Sequence, residues 1–271
     1  MKTRIITAIV ALLIFIPVVI FANTTLFTVA SFDLKIINVA MAVLSLVGVF
    51  EAIKCIDAHK KAYMLLAFGT AFALPLITST NLNFYTPVFI VLLFILLFAG
   101  VMGNKNITCD KVLHSFALTF YVTASFGSMI IIYNTEALLF PLIFVGAWVT
   151  DTFAYFSGYF LGKHKLIPSV SPKKTVEGAI GGSLATTITF GVYGWIRTND
   201  IKLTLILTAI GLVTSVVSQF GDLAASLIKR QWGIKDYGNL FPGHGGVLDR
   251  FDSILAVSAF LYIITLFVTF N

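Results

Sequence analysis

The sequence predicts an all-α, polytopic membrane protein of about nine transmembrane helices, with a polar site on the cytoplasmic side. Three observations predict it. Of 271 residues, 58% are hydrophobic and 11% charged, against about 25% charged in soluble domains. Apolar runs of the roughly 20 residues needed to cross about 30 Å of hydrocarbon recur along the whole chain. The basic residues fall on alternate connections between those runs, as the cytoplasmic enrichment of Lys and Arg requires.

In order, the runs are 4–22, 34–53, 62–79, 84–102, 112–132, 137–160, 176–196, 202–228 and 253–270. "MKTR" ahead of the first run has the look of a cleaved leader. A small residue is missing two positions before Ala22, where Ile20 stands, so the run is expected to remain as a span. A cytoplasmic N-terminus places Lys2, Arg4, Lys54, Lys60, Lys61, Lys105, Lys111, Lys163, Lys165, Lys173, Lys174, Lys229, Arg230, Lys235 and Arg250 inside. That is 15 of 18 basic residues, leaving Lys35, Arg197 and Lys202 outside with the C-terminus. Dropping one span would scramble the alternation downstream. The net charge of +6 thus encodes orientation and contact with anionic membrane lipids, and nucleic acid is not expected as a partner. Cys55 and Cys109 fall in different cytoplasmic loops without metal-ligand spacing, so neither a disulfide nor a zinc site is expected. No repeat or linker interrupts the chain. It reads as one membrane domain over 1–271, with 1–135 mainly scaffold and 136–271 carrying the catalytic helices and loops.

The chemistry concentrates in the last four runs. In the eighth, Ser215, Ser218, Gln219, Asp222, Ser226, Lys229 and Arg230 recur every three or four residues and share one helical face. The serines suit packing between membrane helices. Asp222 lies roughly 10 Å inward of Lys229 along the helix, a depth at which a carboxylate needs a partner, a metal or a wet cavity. The chain then runs through "WGIKDYGNLFPGHGGVLD" (232–249), whose glycines and proline forbid a continuous helix. Such backbone offers N–H groups to a phosphate, here at Gly245 and Gly246, flanked by Lys235, Asp236, His244 and Arg250. Asp249 enters the ninth helix, and Asp252 is expected to act as a helix cap or dipole partner. A second cytoplasmic segment, "GKHKLIPSVSPKKTVEGAIGG" (162–182), predicts a helix capped by Ser171 with Pro172 at its first position, then Lys173, Lys174 and Thr175. A helix N-terminus with two lysines attracts an anion. Gly178 and Gly182 predict close helix packing, and "GYFLGKH" departs from a P-loop in spacing and in its His164. Asp151 is another acid at membrane depth. Carboxylates beside phosphate-binding cations suit a divalent ion shared with a polyphosphate.

The run Gly221, Asp222, Ser226, Lys229, Arg230, Lys235, Asp236, Gly238, Pro242, Gly243, His244, Gly245, Gly246, Asp249, Arg250 and Asp252 resembles the signature of the CTP-dependent phosphatidate cytidylyltransferases, or CDP-diacylglycerol synthases. A second block, Asp151, Ala154, Tyr155, Gly158, Gly162, Lys163 and Leu166 followed by "SPKKTVEGAIGG", is similar to the same family. The resemblance implies a bacterial-type inner-membrane enzyme of phospholipid biosynthesis. It converts CTP and phosphatidate to CDP-diacylglycerol and pyrophosphate, with Mg²⁺, a monovalent cation such as K⁺ as its companion, and a homodimeric assembly. On this resemblance Asp222 and Asp249 bind metal. Lys229, Arg230, Lys235, His244 and Arg250 balance phosphate charge, and Asp236 orients Lys235 or meets a second cation. Ser171, Lys173, Lys174, Thr175 and Ser226, with Gly245 and Gly246, hold nucleotide or lipid phosphate. Two rivals stay open: a transporter or channel, opposed by the gathering of polar residues at one side, and a cytidylyltransferase for another lipid phosphate.

Overall fold

The computed structural model describes residues 13, 16–29, 32–58, 64–79, 82–102, 108–243 and 245–270. Its helices are α1 (Ile36–Cys55), α2 (Met64–Ile77), α3 (Tyr85–Met102), α4 (Cys109–Thr135), α5 (Phe140–Leu161), α6 (Val176–Thr198), α7 (Ile201–Gln231) and α8 (Leu248–Thr265). These occupy the second to ninth expected runs. Residues 16–20 are also helical, and most of the first expected run lies outside the described residues. By length and composition α1, α3, α4, α5 and α7 suffice to cross a membrane. The molecule is an all-α integral membrane protein. Two short antiparallel hairpins were not expected: β1 (Thr25–Val29) with β2 (Phe32–Lys35), and β3 (Lys165–Ile167) with β4 (Ser171–Thr175).

The chain divides into two compact units, Met1–Asn134 with Ile234–Arg250, and Thr135–Gly233 with Phe251–Asn271. In the first, α1 packs along α2. Asn38 of α1 donates to the carbonyls of Pro75 (3.0 Å) and Thr78 (2.7 Å), satisfying acceptors that the end of α2 leaves open. Gly48 lets α1 approach Val122 and Leu248, since a Cβ there would lie 3.1 and 3.2 Å from their side chains.

In the second unit α5, α6 and α7 pack on one another. Gly178 and Gly182 make the α5–α6 seam, as their spacing predicts: an added Cβ would sit 2.6 Å from the Ala154 carbonyl and 2.7 Å from that of Thr150. Asn199, in the left-handed region at φ 49°, closes α6, and Asp200 caps α7 by accepting from Lys202 N at 2.7 Å. Two polar residues therefore reverse the chain. Helix α7 has 31 residues, roughly 46 Å. It exceeds a hydrocarbon core of about 30 Å, so its charged last turns can extend past the apolar stretch.

Candidate active site

The helix predicted to begin at Ser171 and Pro172 begins instead at Val176, with Thr175 as its N-cap: Thr175 Oγ1 accepts from Gly178 N at 3.1 Å. Ser171–Thr175 is strand β4, pairing Ser171 with Ile167 and Thr175 with Lys165. Both Ser171 and Thr175 are good capping residues. Thr175 prevails because it is buried, and Gly158 and Gly162 of the α5 end lack the side chains that would strike it. Glu177 reinforces this start. It accepts from His164 N at 3.2 Å and pairs with His164 Nδ1 at 2.6 Å, tying the segment before β3 to the first turn of α6. Lys173 is exposed and Ser171 half-buried.

Lys174, one residue before the cap, forms an ion pair with Asp222 of α7, Nζ to Oδ2 at 2.5 Å, both side chains about a quarter exposed. This contact joins the two sequence blocks that looked chemical. Asp252 lies within electrostatic range of Asp222, Lys229 and Asp151, and Ser253 Oγ donates to Asp151 Oδ2 at 3.2 Å. The expectation that Asp252 caps the last helix is corrected: α8 begins four residues earlier, at Leu248. Three carboxylates, from α5, α7 and α8, thus face two lysines, one of which, Lys229, is buried. Arg230 at the end of α7 is exposed and Ser226 half-buried.

The glycine-rich loop belongs to the other unit. Asp249 is buried, and its Oδ2 accepts from Tyr237 N (2.8 Å) and Gly246 N (2.9 Å), with Gly238 N at 3.5 Å. The Gly246 N–H, expected to face phosphate, is engaged by Asp249 in this conformation. Gly245, at φ 87°, bridges back to Phe241. Lys235, Asp236 and Arg250 are exposed, and His244 lies outside the described residues.

One carboxylate here was not singled out from the sequence. Glu51, buried in α1, accepts from Val247 N and Leu248 N, each at 3.0 Å. The signal was present: an acid inside a membrane span is costly without a partner. It was hidden because its partners lie 196 and 197 residues away.

No three acidic, imidazole or thiolate groups among the described residues converge closely enough to hold a metal alone. The donor set suits Mg²⁺ nonetheless, because that ion takes one or two carboxylates and completes its shell with water and phosphate oxygens. The sequence model of the cytidylyltransferase family matches residues 2–268. The chain belongs to that family. Among its relatives, the phosphatidate cytidylyltransferase of Staphylococcus haemolyticus (strain JCSC1435) is 34% identical, the match covering 97% of this chain and 98% of that protein. The Bacillus subtilis (strain 168) phosphatidate cytidylyltransferase is 40% identical over 62% of this chain and 63% of its own. That of Staphylococcus aureus (strain COL) is 42% identical over 54% and 52%. In this cytidylyltransferase Lys174 pairs with Asp222, and Asp249 gathers the N–H groups of the glycine-rich loop.

Proposed function

We propose that the protein joins CTP to phosphatidate, forming CDP-diacylglycerol and pyrophosphate, by direct attack of the lipid phosphate on the α-phosphorus. A phosphatidate oxygen forms the new O–P bond, the bond from the α-phosphorus to the bridging oxygen breaks, and pyrophosphate leaves. The observation that carries the reading is the charged cluster in which Asp222, held by Lys174, shares its surroundings with Asp252, Asp151 and buried Lys229. Such a transfer depends on positioning and charge neutralisation rather than on an activated side-chain nucleophile, because the lipid phosphate is itself an anion.

Lys229, Arg230, Lys235, His244 and Arg250 balance the phosphates and the leaving pyrophosphate, while Lys173 and Lys174 with Ser171 meet nucleotide or lipid phosphate. Ser226, one turn from Asp222 on α7, offers a hydroxyl to the same groups, and Asp236 orients Lys235. On the family resemblance Asp222 and Asp249 would be carboxylates for Mg²⁺, with Asp252 beside Asp222 as a further one and K⁺ as a companion ion. Bound there, Mg²⁺ supplies Lewis-acid neutralisation of phosphate charge. The site faces the cytoplasm, where CTP is found, and the protein works as a homodimer.

The test is pyrophosphate release from CTP by detergent-purified protein, with phosphatidate, with a prenyl-ether lipid phosphate, and with neither. Release with phosphatidate, accompanied by CDP-diacylglycerol, is expected. Release with the prenyl-ether compound and none with phosphatidate would move the reading to another lipid phosphate.

A further inference from the structure

We infer that Glu51 is a positioning residue for cytidylyl transfer: its carboxylate fixes the start of α8 and the glycine-rich loop, so that Asp249 and Arg250 are presented in one geometry. The inference rests on the reading that this loop serves the transfer.

A carboxylate in an apolar helix is stable only when its oxygens are met. Both oxygens of Glu51 are, by Val247 N and Leu248 N at 3.0 Å each. These are the leading N–H groups of α8, the unpaired donors at the positive end of a helix. Glu51 therefore occupies, from α1, the place a bound anion would otherwise take. Asp249, on the first turn of α8, accepts from the loop donors at Tyr237 and Gly246. Two buried carboxylates thus hold the loop, Glu51 at Val247 and Leu248 and Asp249 at Tyr237 and Gly246, and the next residue, Arg250, is exposed and open to substrate.

The glycines support this division of labour. Gly243 and Gly245 have positive φ, at 79° and 87°, and are required by the backbone. Gly238 and Gly246 have no such conformation, yet a Cβ on either would fall on the Glu51 carboxylate. Their missing side chains are explained by Glu51, a residue nearly two hundred positions away.

The test is a double-mutant cycle in full-length, detergent-purified protein, read as kcat for CDP-diacylglycerol formation with the thermal unfolding midpoint measured in parallel. Gly246→Ala alone is expected to lower kcat about ten-fold or more, and about three-fold or less in the Glu51→Ala background, where the methyl has room. Glu51→Gln keeps the size but turns one acceptor into a donor facing an N–H. It is expected to lower kcat about ten-fold with an unfolding midpoint within a few degrees of the parent. Additive costs in the cycle, parental kcat in Glu51→Gln, or a loss of kcat that follows loss of folded protein would each overturn the positioning role. Asp222→Asn distinguishes the two levels. If it is inactive while Glu51→Gln is normal, only this inference fails; if it is fully active, the reading of the site beneath it fails as well.

Discussion

Asp222 has two kinds of neighbour, a lysine that neutralises it and carboxylates that do not. Lys174 lies 2.5 Å away, while Asp252 is near enough to feel both Asp222 and Asp151. Such a cluster is stable only with enough positive charge around it, and Lys174 and Lys229 leave three acids facing two bases. Asp222→Asn keeps the size and removes a charge that a divalent ion needs. Turnover is expected to fall about a hundred-fold with helical circular dichroism unchanged, measured as initial rate against Mg²⁺ concentration. Read as a cap, Asp252 predicts a mild effect; placed beside Asp222, it predicts that Asp252→Asn loses activity on the same order, in the same titration. The sequence made Asp222 legible because helical spacing put it on a polar stripe at depth. It hid Glu51, whose backbone partners come from the far end of the chain.

The helices were largely legible, because nothing but hydropathy over roughly 20 residues is needed to find a span. The hairpins were not, since three to five residues carry too little periodicity to separate from a loop. At β4 two capping signals competed within five residues, and burial of Thr175 against Gly158 and Gly162 decided between them. Thr175→Ala should therefore cost about 1 kcal/mol of stability, seen as a lower unfolding midpoint in detergent, whereas Ser171→Ala should leave that midpoint unchanged. The α5–α6 seam is less forgiving. In Gly182→Val the branched side chain meets the Thr150 carbonyl and Ala154, and a loss of about 1–3 kcal/mol is expected from the same measurement.

For the molecule as a whole, the distribution of basic residues predicts orientation: cysteines placed near Lys60, Lys165 and Pro242 are cytoplasmic, and those at Asn83, Asn199 and Asn271 external. Labelling of intact cells, on a background lacking Cys55 and Cys109, checks this, and external labelling near Pro242 would contradict a site supplied with cytosolic CTP. Family-like residues from 151 to 252 pointed to the chemistry, but which carboxylate meets metal, cation or backbone depends on packing that no local pattern encodes. We propose that the two phosphates react directly, without the enzyme taking the cytidylyl group; exchange of labelled pyrophosphate into CTP by delipidated, active enzyme with Mg²⁺ tests this. Exchange is expected only when phosphatidate or CDP-diacylglycerol is added; exchange with CTP alone, lost in His244→Ala, would contradict direct transfer and establish a cytidylyl-histidine.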